Sequence, residues 1–401
     1  MFQQLNNGSV TSAKGFKAAG IYCGIKKKRK DLALIYSETC CTVAGTFTLN
    51  KVKAAPIVIS QELVKNGKKV KAVLVNSGNA NACTGQAGHQ DALTMQKACA
   101  QKLGIGQDEV IISSTGVIGQ QLPVEKIVEG LDEIIPLLSE EGGLDAAEAI
   151  MTTDKKIKSY AVKVALSKGD VTIGGICKGS GMIMPNMATM LGFLATDAAI
   201  DQAIIQNLLF SCVNVSFNKI SVDGETSTND MVTLMANGAS GIEIKEGDKD
   251  YDDFKEALAS ICTDMAKSIV SDGEGATKLV QINVKNAKTA EEASLIGKAI
   301  ANSPLVKTAI NGQDANWGRI VSAAGNSGAD VIPEKISVSF NQLPVLKENY
   351  DIVLDEEKAL KILSLPEFEI NIDINNGKEA CTWWTCDFSE EYIRINADYR
   401  T

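Results

Sequence analysis

Short β-branched runs alternate with amphipathic stretches along the whole chain. VKAVLV (Val70–Val75) is short, apolar and followed by the turn-rich NSGNANACTG, which predicts a buried strand. From Asp91 to Leu103 apolar residues recur at helical spacing, and the run stops at Gly104. Val110 to Ile112 predicts a second strand running straight into SSTG. Pro123 through Leu138 reads as a helix, with Pro123 near its first turn and a break near Pro136. Tyr160, Val162, Val164 and Leu166 alternate on one face of a third strand. In the second half, Phe254, Leu258, Ile261, Met265 and Ile269 form the apolar stripe of a helix over Asp253 to Val270. Phe368, Ile370, Ile372 and Ile374 alternate in a strand that ends at the turn signal NNG. Close to the C-terminus, Ile393 and Ile395 alternate with Arg394 and Asn396, predicting a strand that anchors the end in the core. The class is mixed α/β, without a fixed-period repeat, a low-complexity tract or a long linker.

Composition narrows the function. The 401 residues suit about two domains of roughly 150 residues each. A net charge of -9 argues against a nucleic-acid partner, since phosphate binding wants clustered Lys and Arg. The one basic run, Lys26 to Lys30, is short and reads as a solvated turn. No stretch approaches the roughly 20 apolar residues of a membrane span. The polar start, Met1 to Gly8, lacks a signal-peptide apolar region, so the expected location is the cytoplasm. The ten cysteines are scattered, with Cys40–Cys41 the one neighbouring pair; they fit a reducing interior and small apolar core positions. There is a single histidine, His89, expected to be hydrogen-bonded or on the surface. A multi-His metal site within one chain is therefore impossible, and nucleophilic catalysis needs a base other than a spare imidazole.

Three segments carry candidate chemistry. CKGSGMIMPNMATMLGFLATDA (Cys177–Ala198) crowds Gly, Ser, Pro and Asn before Ala188-Thr189, so its first part is unlike a regular helix. Its plain alternative is a Met- and Gly-rich core loop. A threonine hydroxyl is a weak nucleophile until a base takes its proton. If the Ala188–Thr189 bond were cut, the α-amine of Thr189 could be that base, with a pKa of roughly 7.7–8.0. A constrained loop could make the cut itself, by an N-to-O acyl shift followed by hydrolysis. SSTGVIGQQ (Ser113–Gln121) pairs a hydroxyl, Thr115, with the flexible backbone of Gly116, the makings of an oxyanion hole or of an ordinary turn. Lys178 could hold a carboxylate, and Glu274 in SDGEGATK could hold an ammonium; both are also ordinary in solvated turns. Neither GxxxxGK[ST] nor GxGxxG occurs.

Taken together, SAKGFKAAGIYCGIKKKRKDLALIYSE, FTLNKVKAAPIVIS, VNSGNANACTGQAG, SSTGVIG, MTTD, KGSGMIMPNMATMLGF, DGEGATKL, NGQDANWGRI and the terminal YIRINADYRT resemble the ornithine acetyltransferase family, the bifunctional glutamate N-acetyltransferases. The blocks run from near residue 12 to residue 401. The resemblance implies a layered αβ arrangement like that of N-terminal-nucleophile hydrolases but with its own topology. It implies self-cleavage into an alpha chain, 1–188, and a beta chain, 189–401, that stay together, usually as α2β2. Thr189 would accept acetyl from N2-acetylornithine and pass it to glutamate, with acetyl-CoA a second donor in some members and no bound cofactor or metal. Thr115 and Gly116 would be the oxyanion pair. Thr152, Lys178, Thr189, Glu274, Asn396 and Thr401 would contact substrate. The adjacent Thr153 keeps the choice of hydroxyl at 152 open. The competing reading is an N-terminal-nucleophile aminopeptidase or amidase, which hands the acyl group to water; VNSGNANACTG and NGQDANWGRI favour the transferase.

Overall fold

The computed structural model describes residues 2–184 and 190–398. The chain forms two compact units. The first takes the residues up to Gly179, the stretch ending at Asn218, and Glu225–Ile269. The second takes Ser180–Met184, Lys219–Gly224 and the chain from Val270 on.

The strands of the first part of the chain are β1 (Phe2–Gln4), β2 (Phe16–Ile21), β3 (Leu32–Phe47), β4 (Val70–Asn79), β5 (Val110–Val117), β6 (Lys158–Leu166), β7 (Gly169–Lys178), β8 (Leu191–Thr196), β9 (Ala199–Ile200), β10 (Ile220–Ser221), β11 (Met231–Ala236) and β12 (Glu243–Ile244). Nine of them make one sheet, in the order β1-β6-β7-β8-β11-β3-β4-β5, with β2 added alongside β3. β8 lies antiparallel to β7 and parallel to β11. The helices are α1 (Ala55–Lys65), α2 (Gly85–Leu103), α3 (Val124–Ile134), α4 (Gly143–Ala149), α5 (Gln202–Val215) and α6 (Lys249–Ser271).

Alternation along the strands explains the layers. Leu32 and Leu34, Ala72 and Leu74, and Val110 and Ile112 pack with Ala92, Met95 and Cys99 of α2 and Ile127 and Leu131 of α3. Their neighbours Ala33, Ile35, Val73, Val75 and Ile111 face the other way, against Ile57 and Leu63 of α1 and Ala146 and Ala149 of α4. Both faces are covered, so these strands read as continuous apolar runs.

The second unit holds β10 together with β13 (Leu279–Ala287), β14 (Ser337–Phe340), β15 (Leu343–Lys347), β16 (Asp351–Ile352), β17 (Glu367–Asp373) and β18 (Glu379–Cys386). Their order is β10-β18-β13-β17-β14-β15-β16. Its helices are α7 (Ala290–Asn302), α8 (Pro304–Asn311), α9 (Trp317–Gly325), α10 (Glu356–Leu363) and α11 (Glu390–Ala397). Phe368, Ile370, Ile372 and Ile374 enter its core with Ile296 and Ile300 of α7 and Leu363 of α10.

The expected strands at 70–75, 110–112 and 160–166 and the expected helices are present. The chain leaves α3 through a single 3-10 turn, Ile135–Leu137, that contains Pro136. One expectation is overturned. The Ile393/Ile395 alternation belongs not to a strand but to α11, and Ile393 is 70% exposed. Glu390 and Glu391 suit the positive end of a helix dipole. Arg394 pairs with Glu391 one turn back, and Phe388 stacks on Tyr392 at 4.9 Å. Two isoleucines two apart are too short a pattern to outweigh these local helical contacts.

Candidate active site

Thr115 and Gly116 end β5, in parallel register with Ser77 and Gly78 of β4. Gly116 has φ +135°, and a Cβ there would lie 2.3 Å from the Gly78 carbonyl carbon. Only glycine lets the two backbones come this close.

Buried asparagines hold this strand end in place. Ser114 Oγ donates to Asn76 Oδ1 at 2.6 Å, and Asn76 Nδ2 donates to the Asn79 carbonyl at 2.9 Å. Asn79 Nδ2 donates to the carbonyls of Gln120 and Gln121. Asn229 Nδ2 donates to the carbonyls of Ala80 (2.6 Å) and Ser114 (2.8 Å). The asparagines of VNSGNAN thus stiffen the candidate oxyanion segment. Asn229 escaped the sequence reading, since it is far away in sequence and only the fold brings it here.

Lys178 ends β7, is 7% exposed, and donates from Nζ to Thr115 Oγ1 at 3.4 Å. Asp154 sits beneath it. Its Oδ1 accepts from Lys158 Nζ and from the Gly179 amide, each at 2.7 Å, and its Oδ2 accepts from the Thr152 amide at 2.9 Å. Burial works against ionising Asp154, but the Lys178 and Lys158 ammonium groups prevail and hold its carboxyl well below the usual carboxylate range. One carboxylate therefore ties the Thr152 backbone to the end of the strand that carries Lys178. Thr152 and Thr153 are both partly buried.

Of the basic run, Lys27, Lys28 and Arg29 are exposed as a solvated turn would be, but Lys26 is not. Its Nζ donates to the carbonyls of Lys30 (2.8 Å) and Met151 (2.5 Å). Burial lowers its pKa to about 8, against the pull of Asp31 and with help from the Lys178 charge. A half-buried lysine within a charge run gives no sequence signal of its own.

In the second unit Glu274 is 5% exposed, not the solvated turn residue its surroundings suggest. Its amide donates to the Ser180 carbonyl at 3.0 Å, and its Oε2 accepts from Asn396 Nδ2 at 2.9 Å. Gly181 leaves room for it: a Cβ there would lie 2.3 Å from Glu274 Cδ. Asp223 accepts the amides of Met182 and Ile183 at 2.7 and 2.8 Å, which fixes the loop that carries Gly181.

The structure thus brings Thr115, Gly116, Lys178 and the Thr152 backbone together in one unit, and Glu274 with Asn396 in the other. Ala188, Thr189 and Thr401 lie outside the described residues. His89 is exposed on α2. No three His, Cys, Asp or Glu side chains among the described residues are grouped to hold a metal ion, and no helix among them is long and apolar enough to cross a membrane. Chemically, a hydroxyl and a glycine amide backed by an ammonium suit a developing oxyanion.

The ArgJ family model matches residues 17–401. The arginine biosynthesis bifunctional protein ArgJ of Caldanaerobacter subterraneus subsp. tengcongensis is 46% identical, over 99% of this chain and 100% of its own length. That of Chlorobaculum tepidum is 50% identical, over 97% of this chain and 96% of its own. A solved structure of ornithine acetyltransferase complexed with ornithine, from Mycobacterium tuberculosis, is 39% identical, covers 46% of this chain and 99% of its own, and has a TM-score of 0.44. With a family match and relatives that both run nearly from end to end, this chain belongs to the ArgJ family.

Proposed function

We propose that the chain is an acetyltransferase of arginine biosynthesis, which moves acetyl from N2-acetylornithine to glutamate through an acetyl ester on Thr189. What carries the reading is the buried Lys178 donating to Thr115 beside a glycine of positive φ, in a chain that ArgJ proteins match almost completely. Cleavage between Ala188 and Thr189 gives an alpha piece, 1–188, and a beta piece, 189–401, assembled as α2β2 in the cytoplasm.

The freed α-amine of Thr189 takes the proton of its own hydroxyl. The hydroxyl oxygen attacks the acetyl carbonyl carbon of acetylornithine. The carbonyl oxygen gains negative charge, which the Thr115 hydroxyl and the Gly116 amide stabilise, with the Lys178 charge behind them. The C–N bond breaks, the nitrogen takes the proton, and ornithine leaves. The glutamate amine then attacks the ester, the C–O bond breaks, and Thr189 regains its proton as N-acetylglutamate departs. Lys178 offers a positive charge for a substrate carboxylate, and Glu274 a negative one for a substrate ammonium such as that of the ornithine side chain. Asn396, Thr152 and Thr401 complete the substrate contacts.

Intact-mass spectrometry tests the reading. Purified protein should give two fragments that part between Ala188 and Thr189, and acetylornithine should add one acetyl group to the fragment beginning Thr-Met-Leu-Gly. Thr189→Ala should abolish cleavage and transfer, whereas Thr189→Ser, which keeps the hydroxyl, should retain part of each. Acetate released equally fast with and without ornithine or glutamate as acceptor would establish an amidase instead.

A further inference from the structure

Three residues of the basic run Lys26 to Lys30 converge on one stretch of chain, 145–154. Lys30 Nζ pairs with Asp145 Oδ1 (2.5 Å) and Glu148 Oε2 (3.0 Å). Arg29 Nη1 donates to the Asp154 carbonyl at 3.5 Å, and Lys26 Nζ donates to the Met151 carbonyl at 2.5 Å. Arg29 is exposed, whereas Lys26 is half-buried, a position that costs an ammonium part of its hydration. The buried Asp31 carboxylate fixes where Lys26 starts. Its Oδ1 accepts the Cys23 amide at 2.6 Å, and its Oδ2 accepts the Ile25 and Lys26 amides at 2.7 and 2.8 Å. The Lys26 stem then passes the glycine pair: a Cβ on Gly78 would lie 3.0 Å from Lys26 Cγ, and Gly78 is the register partner of Gly116. At its far end Nζ meets the peptide unit between Met151 and Thr152. That unit is held at both poles, its carbonyl by Lys26 and its N–H by Asp154 Oδ2 at 2.9 Å. Ser77, next to Gly78, adds a second tie by donating from Oγ to the Ala149 carbonyl.

We propose that Lys26 is a positioning residue for substrate binding: its ammonium clamps the Met151–Thr152 peptide at a fixed place relative to Gly116, and so sets where Thr152 meets the substrate. The inference rests on Thr152 being a substrate contact. A threonine hydroxyl sits one stiff torsion from the backbone, so it goes where its peptide unit goes. Without the clamp the Met151 carbonyl can swing and carry Thr152 with it, and a misplacement of about 1 Å can cost about 10²-fold. Thr152 holds bound substrate rather than developing charge, so the loss falls on KM.

The test is steady-state kinetics of Lys26→Met in the full chain, which keeps an unbranched stem against Gly78 and removes the donor. It should raise KM for acetylornithine about tenfold, with kcat and self-cleavage within about twofold of wild type. Lys27→Met takes the same charge from an exposed neighbour and should leave KM unchanged; an equal rise there would trace the effect to net charge and overturn the proposal. Thr152→Ala should also raise KM, and adding Lys26→Met to it should raise KM no further, since both remove one contact. A folded Lys26→Met protein with wild-type KM overturns the proposal, as does one that loses kcat alone or one whose effect multiplies with that of Thr152→Ala. If Lys26→Met does not fold, Lys26→Gln decides, because its shorter side chain stops short of the Met151 carbonyl: a raised KM supports the proposal and an unchanged one overturns it. The underlying reading fails separately, through a Thr152→Ala protein with the KM of wild type.

Discussion

In the proposed mechanism Thr115 meets the substrate only where charge develops. Thr115→Ala should therefore lower kcat by about 10²–10³-fold, the usual effect of losing one oxyanion donor, and leave KM nearly unchanged. Steady-state kinetics with acetylornithine check this, and a rise in KM alone would make Thr115 a ground-state contact. Gly181 acts at one remove. Gly181→Ala places a Cβ where Glu274 has its carboxyl carbon, 2.3 Å away, so the carboxylate must shift. The expected result is a several-fold higher KM for acetylornithine with self-cleavage intact; an unchanged KM would remove Glu274 from the substrate site. Asp154 carries a stability consequence as well. Its pair with Lys158 is buried on both sides, and Asp154→Asn takes the carboxylate away from that ammonium, a loss of about 3–5 kcal/mol. Because the folded Asp154 pKa is depressed, its contribution is complete above the unfolded value of about 3.9 and vanishes as the pH falls through the lower folded value. Urea midpoints of wild type and variant should accordingly stay apart from pH 7 down to about pH 4 and converge only below it.

At the level of elements, α11 replaces an expected strand and changes how the C-terminal end is understood. Asn396 reaches Glu274 from a helix whose apolar residue Ile393 faces solvent, so the element is held by the Asn396 bond to Glu274 and the Tyr392 stack on Phe388 rather than by a buried face. Asn396→Ala should loosen Glu274 and raise KM for acetylornithine while leaving the thermal midpoint within about 1–2 °C, as a surface change in a protein of this size would. A large fall in the midpoint with KM unchanged would make the contact purely structural. Long periodic runs such as 253–270 and 368–374 were legible in the sequence because their stripes span several turns or a whole strand. The start of α2 at Gly85 was not, because GQAG offers no apolar stripe to read. At the candidate site, motif resemblance supplied Thr115, Gly116, Lys178, Glu274 and Asn396. It was silent on the parts played by Asp154 and Asn229, which meet Gly179 and Ala80, 25 and 149 positions away in sequence, only through the fold.

On the scale of the whole molecule, the strand order bears on what cleavage at 188 does. β8 and β11, which follow that position, are bounded in the sheet by β7 on one side and β3 on the other, both of which precede it. Ile173–Lys178 pair with Leu191–Thr196, and Thr42–Phe47 pair with Met231–Ala236. Under the proposed cleavage the two pieces would be dovetailed, each gripping the other along backbone ladders, and the broken peptide bond would release neither. Such a pair behaves as one cooperative body with two chain names. Mixing isotope-labelled and unlabelled cleaved protein should produce no hybrid pairs by native mass spectrometry until the mixture is unfolded and refolded; spontaneous exchange in native buffer would show that the joint opens. The same geometry makes an isolated 1–188 fragment hazardous, since the edges of β7 and β3 would be bared at once, two open templates for the wrong partner. Synthesis of both pieces on one precursor would then be a kinetic safeguard: each ladder closes within one chain, before any other chain can compete for its edge.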